Sequence, residues 1–343
     1  MGVKLKDLAV SKQITLDELH GKILAVDAFN TIYQFLTTIV QRDGKPLVNH
    51  DGHVTSHLNG LFYRCTKFME HGLKLVFVFD GKPPALKSHE IARRVELKMD
   101  AAQKHKEAEE KGDIEGMKKY AVRTARLTTE MIEESKQLLA LLGIPIIQAP
   151  SEGEAQAAYM TKQGDAYAVV SQDFDSLLFG CTRVVRNLSI DGRRKKAGTL
   201  LYTTVQPELI TLSDVLNTHG IDQDKLIALG MLVGTDFNNG GIPGIGPKKA
   251  LKLVTKHNEL AAVFEEAQWK KYWDIDWKEI FDTIKHMPCE KKYTLQWKAP
   301  QIEKLRAMLV EQCDFSPERI DVKLKKFVEE RKEKAQTGLE KWT

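Results

Sequence analysis

Two short apolar runs, each followed by a pair of acids, decide the fold of this chain. Residues 144–159 read Ile-Pro-Ile-Ile-Gln-Ala-Pro-Ser-Glu-Gly-Glu-Ala-Gln-Ala-Ala-Tyr, and residues 166–180 read Ala-Tyr-Ala-Val-Val-Ser-Gln-Asp-Phe-Asp-Ser-Leu-Leu-Phe-Gly. The apolar run that opens each segment shows no polar alternation, which is typical of a buried parallel strand. Residues 152–163 have a helical composition, with Ser151 as the predicted N-cap. The stretch therefore predicts a strand–helix–strand unit of an α/β fold.

Four carboxylates follow these two predicted strands, namely Glu152, Glu154, Asp173 and Asp175. Ligands bind at the carboxyl ends of the strands in open α/β sheets. A separate cap or turn role would explain any single acid. Two close pairs repel each other, however, and a helix dipole offsets only roughly 0.3–1 kcal/mol of that repulsion. A site for divalent metal ions is the better explanation.

Three more acids extend this cluster. The predicted strands at residues 22–29 and 74–80 bring Asp27 and Asp80, and Asp236 follows a predicted helix. Ligands that are all oxygen suit Mg²⁺ or Mn²⁺ better than zinc.

A long charged segment follows Asp80. Residues 86–137 predict a helical hairpin that begins beside the acid cluster. Its bases include Lys87, Arg93, Arg94, Lys98, Lys104, Lys118, Lys119, Arg123 and Arg126. A solvated helix face explains such a run. Its position also favours a second interpretation, in which these bases hold a phosphate against the metal ions.

A glycine-rich turn lies between two predicted helices further along the chain. Gly241, Gly244 and Gly246 precede a helix whose entrance carries Lys248 and Lys249. Backbone N–H groups in such a turn can face a phosphate. A helix stands where a dinucleotide fingerprint needs a strand, and the glycine–lysine spacing does not fit a P-loop. The element predicts a grip on the nucleic-acid backbone that is independent of sequence.

The remaining predictions are coarser. We expect strands at residues 182–188 and 200–205 with a basic turn at 191–196 between them, and mainly helix over residues 258–335. Within that helical region, three tryptophans are expected to pack in the core: Trp269, Trp273 and Trp277.

Composition limits the class of protein. The 343 residues are 42% hydrophobic and 29% charged, as in a globular protein. The net charge of +4 is mild, so nucleic-acid binding must come from clustered charge. The four cysteines form no CxxC pair, which argues against structural zinc or a disulfide framework. The absence of a signal peptide or membrane-spanning run predicts an intracellular protein.

Seven motifs together resemble a known family over essentially the whole chain. They are Met-Gly-Val at residue 1, Val-Asp-Ala at 26, Val-Phe-Asp-Gly-Lys-Pro-Pro at 78, Ala-Pro-Ser-Glu-Gly-Glu-Ala at 149, Ser-Gln-Asp-Phe-Asp at 171, Gly-Thr-Asp at 234 and Gly-Ile-Gly-Pro-Lys-Lys at 244. The chain resembles the flap endonucleases of the XPG nuclease superfamily, in their archaeal form.

The resemblance implies a PIN-like, mainly parallel sheet with helices on both faces, an inserted helical arch and a C-terminal helical region with a helix–two-turn–helix element. The implied regions are an N-terminal nuclease region at 1–98 with the arch at about 84–135, an internal nuclease region at 141–260 containing the helix–two-turn–helix, a C-terminal helical region at 261–335 and a tail at 336–343.

The resemblance also implies roles for individual residues. Two catalytic divalent ions, Mg²⁺ or Mn²⁺, would be held by Asp27, Asp80, Glu152, Glu154, Asp173, Asp175 and Asp236. Lys87 and Arg94 match the basic pair at the base of the arch, and Tyr33 matches the stacking aromatic. Contacts with DNA are implied for Gly2, Arg42, Thr55, Ser56, Gly244, Gly246, Lys248 and Lys249, with a K⁺ ion at the helix–two-turn–helix.

The tail resembles a peptide that binds the sliding clamp, through Gln336, Leu339 and Trp342. It ends on Thr343 where a second aromatic is expected, which predicts weakened clamp binding. From the spacing of these residues alone, a frayed chain end is the favoured explanation. The implied partner is branched or flapped DNA, bound by a cytoplasmic archaeal monomer without membrane association.

The implied activity is structure-specific 5′-flap cleavage with 5′-3′ exonuclease activity in DNA replication and repair. Two alternatives of other classes stay open from the residues. A metal-dependent phosphohydrolase of small molecules would use the acids but not the glycine turn or the arch. A catalytically idle DNA-binding partner of the clamp would not need seven acids.

Overall fold

The computed structural model describes residues 3, 5–41, 44–188, 193–195, 202–204 and 206–339. The described strands are β1 Ser11–Gln13, β2 Ile23–Asp27, β3 Lys74–Phe79, β4 Ile146–Gln148, β5 Ala168–Val170, β6 Arg183–Arg186, β7 Arg193–Lys195, β8 Tyr202–Thr204 and β9 Glu208–Thr211.

The described α-helices are α1 Ala28–Thr38, α2 Ser56–Glu70, α3 Ser88–Glu110, α4 Ile114–Thr124, α5 Thr129–Leu141, α6 Gly153–Gln163, α7 Asp175–Leu178, α8 Leu212–His219, α9 Gln223–Val233, α10 Pro247–Lys256, α11 Leu260–Glu266, α12 Trp269–Tyr272, α13 Trp277–Lys285, α14 Ile302–Arg306 and α15 Pro317–Leu339. Short 3₁₀ turns span Lys6–Leu8, Asp17–Leu19 and Ala85–Lys87, and a π-helix spans Ala307–Gln312. None of the helices in the described ranges is long and apolar enough to cross a membrane.

Seven strands form one mixed, mostly parallel sheet in the order β1-β9-β6-β5-β2-β3-β4. β5 pairs in parallel with β2 and β6, with Ala25 opposite Val169 and Val169 opposite Val184. β9 runs antiparallel to β6 and to β1. The central strands are apolar and buried, as expected of strands covered on both faces. The predicted α/β fold with a mainly parallel sheet is confirmed.

Several local predictions were wrong. Ser151 is not the N-cap of α6, because its hydroxyl donates to the Lys82 carbonyl, and Glu152 takes the cap position. Part of the predicted basic turn is β7, which pairs with β8 in a hairpin. Residues 287–301, predicted to be helical, contain no helix or strand.

Three further differences concern β9, α10 and the tryptophans. Strand β9 was not predicted, and α10 begins at Pro247, directly after Gly246 of the glycine turn. Proline suits the first helical position because its missing N–H would have no partner there. Of the three tryptophans, only Trp269 is fully buried, whereas Trp273 and Trp277 are half-buried.

The described chain forms two compact units. The first comprises residues 1–28, 77–95 and 147–293. In it, α6 packs on β2 and β5, α7 packs on β6, and α9 packs against α10 and α13. The ring of the buried Phe264 stacks on that of the half-buried Trp277, with their centroids 4.6 Å apart.

The second unit comprises residues 29–76, 96–146 and 294–343. In it, α2 packs against α5 and α15, and α14 packs against α5. Lys323 donates to Glu70 over 2.5 Å, which ties α15 to α2. Each unit is built from three separate stretches of the chain. The regions predicted from the sequence are consecutive and therefore divide the chain differently, and they stay a prediction.

Candidate metal-nuclease site

All seven predicted acids lie in the first unit at the ends of sheet strands or at the starts of helices. Asp27 ends β2, and Asp80 directly follows β3. Glu152 and Glu154 occupy the cap and first turn of α6, which follows β4. Asp173 and Asp175 follow β5, and Asp236 follows α9. A parallel sheet brings its strand ends to one edge, which is the reason these positions converge.

Lys87 is the cation at the centre of one half of the cluster. Its Nζ lies 2.5 Å from Glu152 Oε2 and 3.1 Å from Asp236 Oδ2. Burial lowers the pKa of Lys87, but the charges of Glu152 and Asp236 outweigh burial and raise it overall. Burial and the charge of Glu152 raise the pKa of Asp80 to about 6, although the Gly153 N–H donates to it over 2.6 Å. This half holds more negative charge than its lysine neutralises.

Glu154 and Asp175 are the centre of the other half. Burial raises the pKa of Glu154 well above its usual value, and the charges of Asp175, Asp27 and Asp173 add to that effect. Burial likewise raises the pKa of Asp175 to about 7. Hydrogen bonds oppose the shifts only in part: the Val3 N–H donates to Asp175 over 2.7 Å. Repulsion of this size inside a protein calls for added positive charge.

The hydroxyls of Ser171 and Ser176 orient Glu154. They donate to Glu154 Oε1 over 2.9 and 3.1 Å. Sequence analysis did not single out either serine. Ser171 lies two residues before Asp173, and Ser176 directly follows Asp175. Their closeness in sequence to predicted metal ligands was the signal that could have identified them.

Arg94 joins the cluster from helix α3. Its Nη2 donates to Asp236 Oδ1 over 2.6 Å, and its Nε donates to Glu90 Oε1 over 2.7 Å. Lys87 and Arg94 therefore both contact Asp236, from different sides of its carboxylate. The sequence placed these two bases near the acids, and the structure brings them into contact.

These side chains line an open cleft of about 330 Å³. Its walls include Lys87, Glu152, Glu154, Asp175 and Asp236. Among the described residues, no three acids, histidines or cysteines are grouped so that they could hold a metal ion as they stand. Ammonium and guanidinium groups occupy positions on Glu152 and Asp236 that an ion would need. The donors are all oxygen, which fits Mg²⁺ or Mn²⁺.

Comparison with known proteins decides the family. Residues 1–101 match the XPG N-terminal domain, and residues 143–236 match the XPG I-region. Flap endonuclease 1 of Pyrococcus abyssi is 49% identical over 342 residues, which covers 100% of this chain and 98% of the relative. The chain belongs to the flap endonucleases of the XPG family.

Solved structures agree with this family. Flap endonuclease-1 from Methanococcus jannaschii is 41% identical with a TM-score of 0.75, covering 97% of this chain and 100% of that one. The catalytic core of Rad2 in complex with DNA substrate is 25% identical with a TM-score of 0.72, covering 95% and 100%.

The glycine turn of this flap endonuclease has the expected helix–turn–helix setting. It connects α9 to α10, with Gly246 as the N-cap of α10. Gly244 has a φ of +79°, and its carbonyl accepts a hydrogen bond from Lys249 Nζ over 2.9 Å. Lys248 and Lys249 are exposed at the start of α10. A backbone phosphate can therefore reach both the helix N-terminus and two ammonium groups.

Two of the residues implied to contact DNA, Thr55 and Ser56, lie in the second unit. Thr55 is buried, and Ser56 is fully buried. The Ser56 hydroxyl accepts from the Leu47 N–H over 2.8 Å and donates to the Ile39 carbonyl over 2.6 Å. Ser56 thus closes the preceding loop, and its contact with DNA stays a prediction.

The structure describes only some of the other predicted residues. Tyr33 lies half-buried on α1, with Lys98 Nζ 5.3 Å from its ring centroid. Gln336 and Leu339 lie on α15, which extends beyond residue 335. Gly2, Arg42 and Trp342 lie outside the described residues.

Sequence analysis missed the partners that hold Arg94. Glu90 accepts from Arg93, Arg94 and Asn239 and is buried. The i,i+3 and i,i+4 spacings from Glu90 to the two arginines were a readable signal. Asn239 is 149 residues away, and no local pattern indicated it.

Proposed function

We propose that this chain is a structure-specific endonuclease that cuts 5′ flaps of branched DNA at the flap base, with 5′-3′ exonuclease activity, in replication (Okazaki fragment maturation) and repair. One observation carries the proposal. Six carboxylates follow or end strands β2, β3, β4 and β5 of the sheet, and the seventh, Asp236, contacts Lys87 and Arg94. Family membership supports the same activity.

The seven acids fit a pair of divalent ions. Burial raises the pKa of three of them, and the charges of neighbouring carboxylates add to that effect: Asp80, Glu154 and Asp175. Bound Mg²⁺ ions, with Mn²⁺ as a substitute, would supply an activated water and stabilise the leaving oxygen. The acids of this chain would hold those ions, and their excess charge is the physical reason for binding.

Lys87 and Arg94 act on the phosphate. Lys87 lines the cleft, and Arg94 contacts the cleft residue Asp236. Donors fixed in this way can stabilise the charge that develops on a phosphate. Lys87 and Arg94, which pair here with Glu152 and Asp236, would donate to the scissile phosphate. The products are a 5′-phosphate and a 3′-hydroxyl, which leave a nick that a ligase can seal.

The remaining assignments concern DNA and partners. Gly244, Gly246, Lys248 and Lys249 grip the duplex backbone, with K⁺ bound at the same turn. Tyr33 stacks on a base, Gly2 contacts DNA, and Arg42, Thr55 and Ser56 contact DNA near the 3′ flap. The tail binds the sliding clamp weakly through Gln336, Leu339 and Trp342. The protein acts as a cytoplasmic monomer.

The experiment compares a labelled double-flap duplex with plain single strand and plain duplex. Each substrate is incubated with enzyme in Mg²⁺ and in EDTA, for the wild type, Asp173→Asn and the control Asp214→Asn. Asp214 is an exposed acid on α8 and carries the same change in charge.

The expected result is rapid, Mg²⁺-dependent cutting at the flap base that Asp173→Asn abolishes and Asp214→Asn retains. Tight binding of the flap without cutting would support an idle DNA-binding protein. Neither binding nor cutting, with phosphatase activity on small esters, would support a small-molecule hydrolase.

A further inference from the structure

Glu90 is a buried carboxylate with an unusual number of donors. It accepts from Arg93 Nε and Nη2 over 2.8 and 2.9 Å, from Arg94 Nε over 2.7 Å and from Asn239 Nδ2 over 2.6 Å. Its side chain is only 3% exposed. Burial alone would raise the pKa of Glu90, but these hydrogen bonds outweigh burial and lower it to about 2. Glu90 is therefore a charged group held from several directions.

This arrangement differs from an ordinary helical ion pair. Exposed i,i+4 pairs are mobile and contribute little to stability. Here Asn239 comes from the turn after α9, so the carboxylate connects two distant parts of the first unit. The Glu90 carboxylate is shielded from water, although its arginine donors are about two-fifths exposed. Several charge-assisted hydrogen bonds to one buried carboxylate hold its geometry well.

The turn that supplies Asn239 is itself rigid. Asn238 is fully buried, accepts from the Thr235 hydroxyl over 2.7 Å and donates to the Met231 carbonyl over 2.6 Å. The same turn carries Asp236. Glu90 therefore anchors α3 to the backbone that positions Asp236.

Arg94 donates hydrogen bonds to two carboxylates, and ion binding would affect the two bonds differently. Its Nη2 donates to Asp236, whereas its Nε donates to Glu90. An ion bound to Asp236 would compete with Arg94 for that carboxylate and weaken their hydrogen bond. Glu90 is not among the acids assigned to the ions, so its hydrogen bond with Arg94 would remain.

We propose that Glu90, held in turn by Asn239 and Arg93, is the positioning residue that fixes the guanidinium of Arg94 for the scissile phosphate. The inference rests on the role of Arg94 in the proposed function. Glu90 does not touch the substrate. It would hold the Arg94 guanidinium in its orientation when the Asp236 carboxylate binds a metal ion.

A double-mutant cycle tests the proposal. Single-turnover cleavage at saturating enzyme, flap affinity in EDTA and thermal unfolding are measured for the wild type, Glu90→Gln, Arg94→Ala and the double variant. Glu96→Gln is the matched control, because Glu96 is exposed on the same helix and undergoes the same change. Asn239→Ala is a second, milder probe of the anchor.

Glu90→Gln is expected to slow the cleavage step roughly 10- to 100-fold, the range that misplacement of a catalytic group produces. Its flap affinity should stay within about threefold of the wild type, since phosphate contacts elsewhere dominate binding. Adding Glu90→Gln to Arg94→Ala should slow cleavage no further. Asn239→Ala should slow cleavage severalfold, again only while Arg94 is present.

Independent losses from Glu90→Gln and Arg94→Ala would overturn the positioning role, as would wild-type cleavage by Glu90→Gln or an equal loss in Glu96→Gln. If Glu90→Gln does not fold, additive losses from Asn239→Ala and Arg94→Ala overturn it. Full activity of Arg94→Ala would instead refute the role of Arg94 itself. Absence of flap cleavage by the wild type would refute the proposed function, so the three failures are distinguishable.

Discussion

The ammonium of Lys87 lies 2.5 Å from Oε2 of Glu152, two side chains that are 65 residues apart in sequence. The contact places a cation among acids that would otherwise repel one another. It also places that cation in the cleft where we expect the scissile phosphate. The pair therefore connects the stability of the cluster with its chemistry.

Lys87→Ala should slow single-turnover flap cleavage by roughly 10²–10³-fold, the usual loss when a fixed donor to developing charge is removed. The control is Lys285→Ala, because Lys285 pairs with Asp224 over 2.7 Å at an exposed position of the same unit. Quenched-flow kinetics would check both variants. Unchanged cleavage by Lys87→Ala would refute its assignment.

The metal-free protein should lose stability as pH rises from about 4 to about 7. The folded Asp175 carboxyl, with a pKa of about 7, keeps its proton in this window, whereas an unfolded aspartate with a pKa of about 3.9 has lost it. Asp175→Asn should flatten this dependence because an amide does not titrate, and its oxygen can still accept from the Val3 N–H. Thermal unfolding in EDTA would measure it.

The exposed Asp214→Asn variant is the control for that experiment and should follow the wild-type curve. A melting temperature that rises between pH 5 and 7 equally in the wild type and Asp175→Asn would show that the buried carboxyl does not govern the slope.

Mg²⁺ should stabilise the protein, and more strongly at pH 8 than at pH 6. Ions compete with protons for Asp80 and Asp175, which have pKa values of about 6 and 7. At a concentration of 100 Kd, one bound ion adds about 2.7 kcal/mol to the free energy of unfolding. Calorimetric scans with Mg²⁺, and with a monovalent salt of equal ionic strength, would separate binding from screening. Equal stabilisation by both salts would contradict an ion site.

Gly241→Ala should destabilise the fold by more than about 2 kcal/mol. Gly241 has a φ of +59°, and an added Cβ would lie 2.3 Å from the Leu232 carbonyl oxygen. Gly240→Ala is the matched control, since Gly240 has a φ of +88° but nothing within 4 Å of the added atom. It should cost only about 1 kcal/mol of backbone strain. Denaturant unfolding would compare them, and equal losses would rule out the steric explanation.

Much of the site was predictable because its signals are local. The apolar runs of β2, β3 and β5 each precede an acid, and burial on both faces makes such runs legible in sequence. The glycine turn before α10 was legible for a similar reason, since glycine and proline constrain backbone conformation directly.

Local errors arose where a tertiary partner outweighed propensity. Ser151 is a good N-cap by type, yet its hydroxyl serves the Lys82 carbonyl. The segment 287–301 has helical composition, yet its backbone is paired elsewhere: Glu290 with the buried side chain of Gln156, and Lys298 with Gly143. Hydrogen bonds to distant residues replaced the intrahelical ones.

Periodicity and chain order are local properties, so the central strands, the seven acids and the bases that follow Asp80 could be predicted from them. Which charges meet was fixed by the packing of the whole chain. Lys87 faces Glu152 and Asp236, and Glu90 meets Asn239 across 149 residues. Contacts of that range depend on how the whole chain packs, and a buried charge pairs with whichever donor the packing brings within reach.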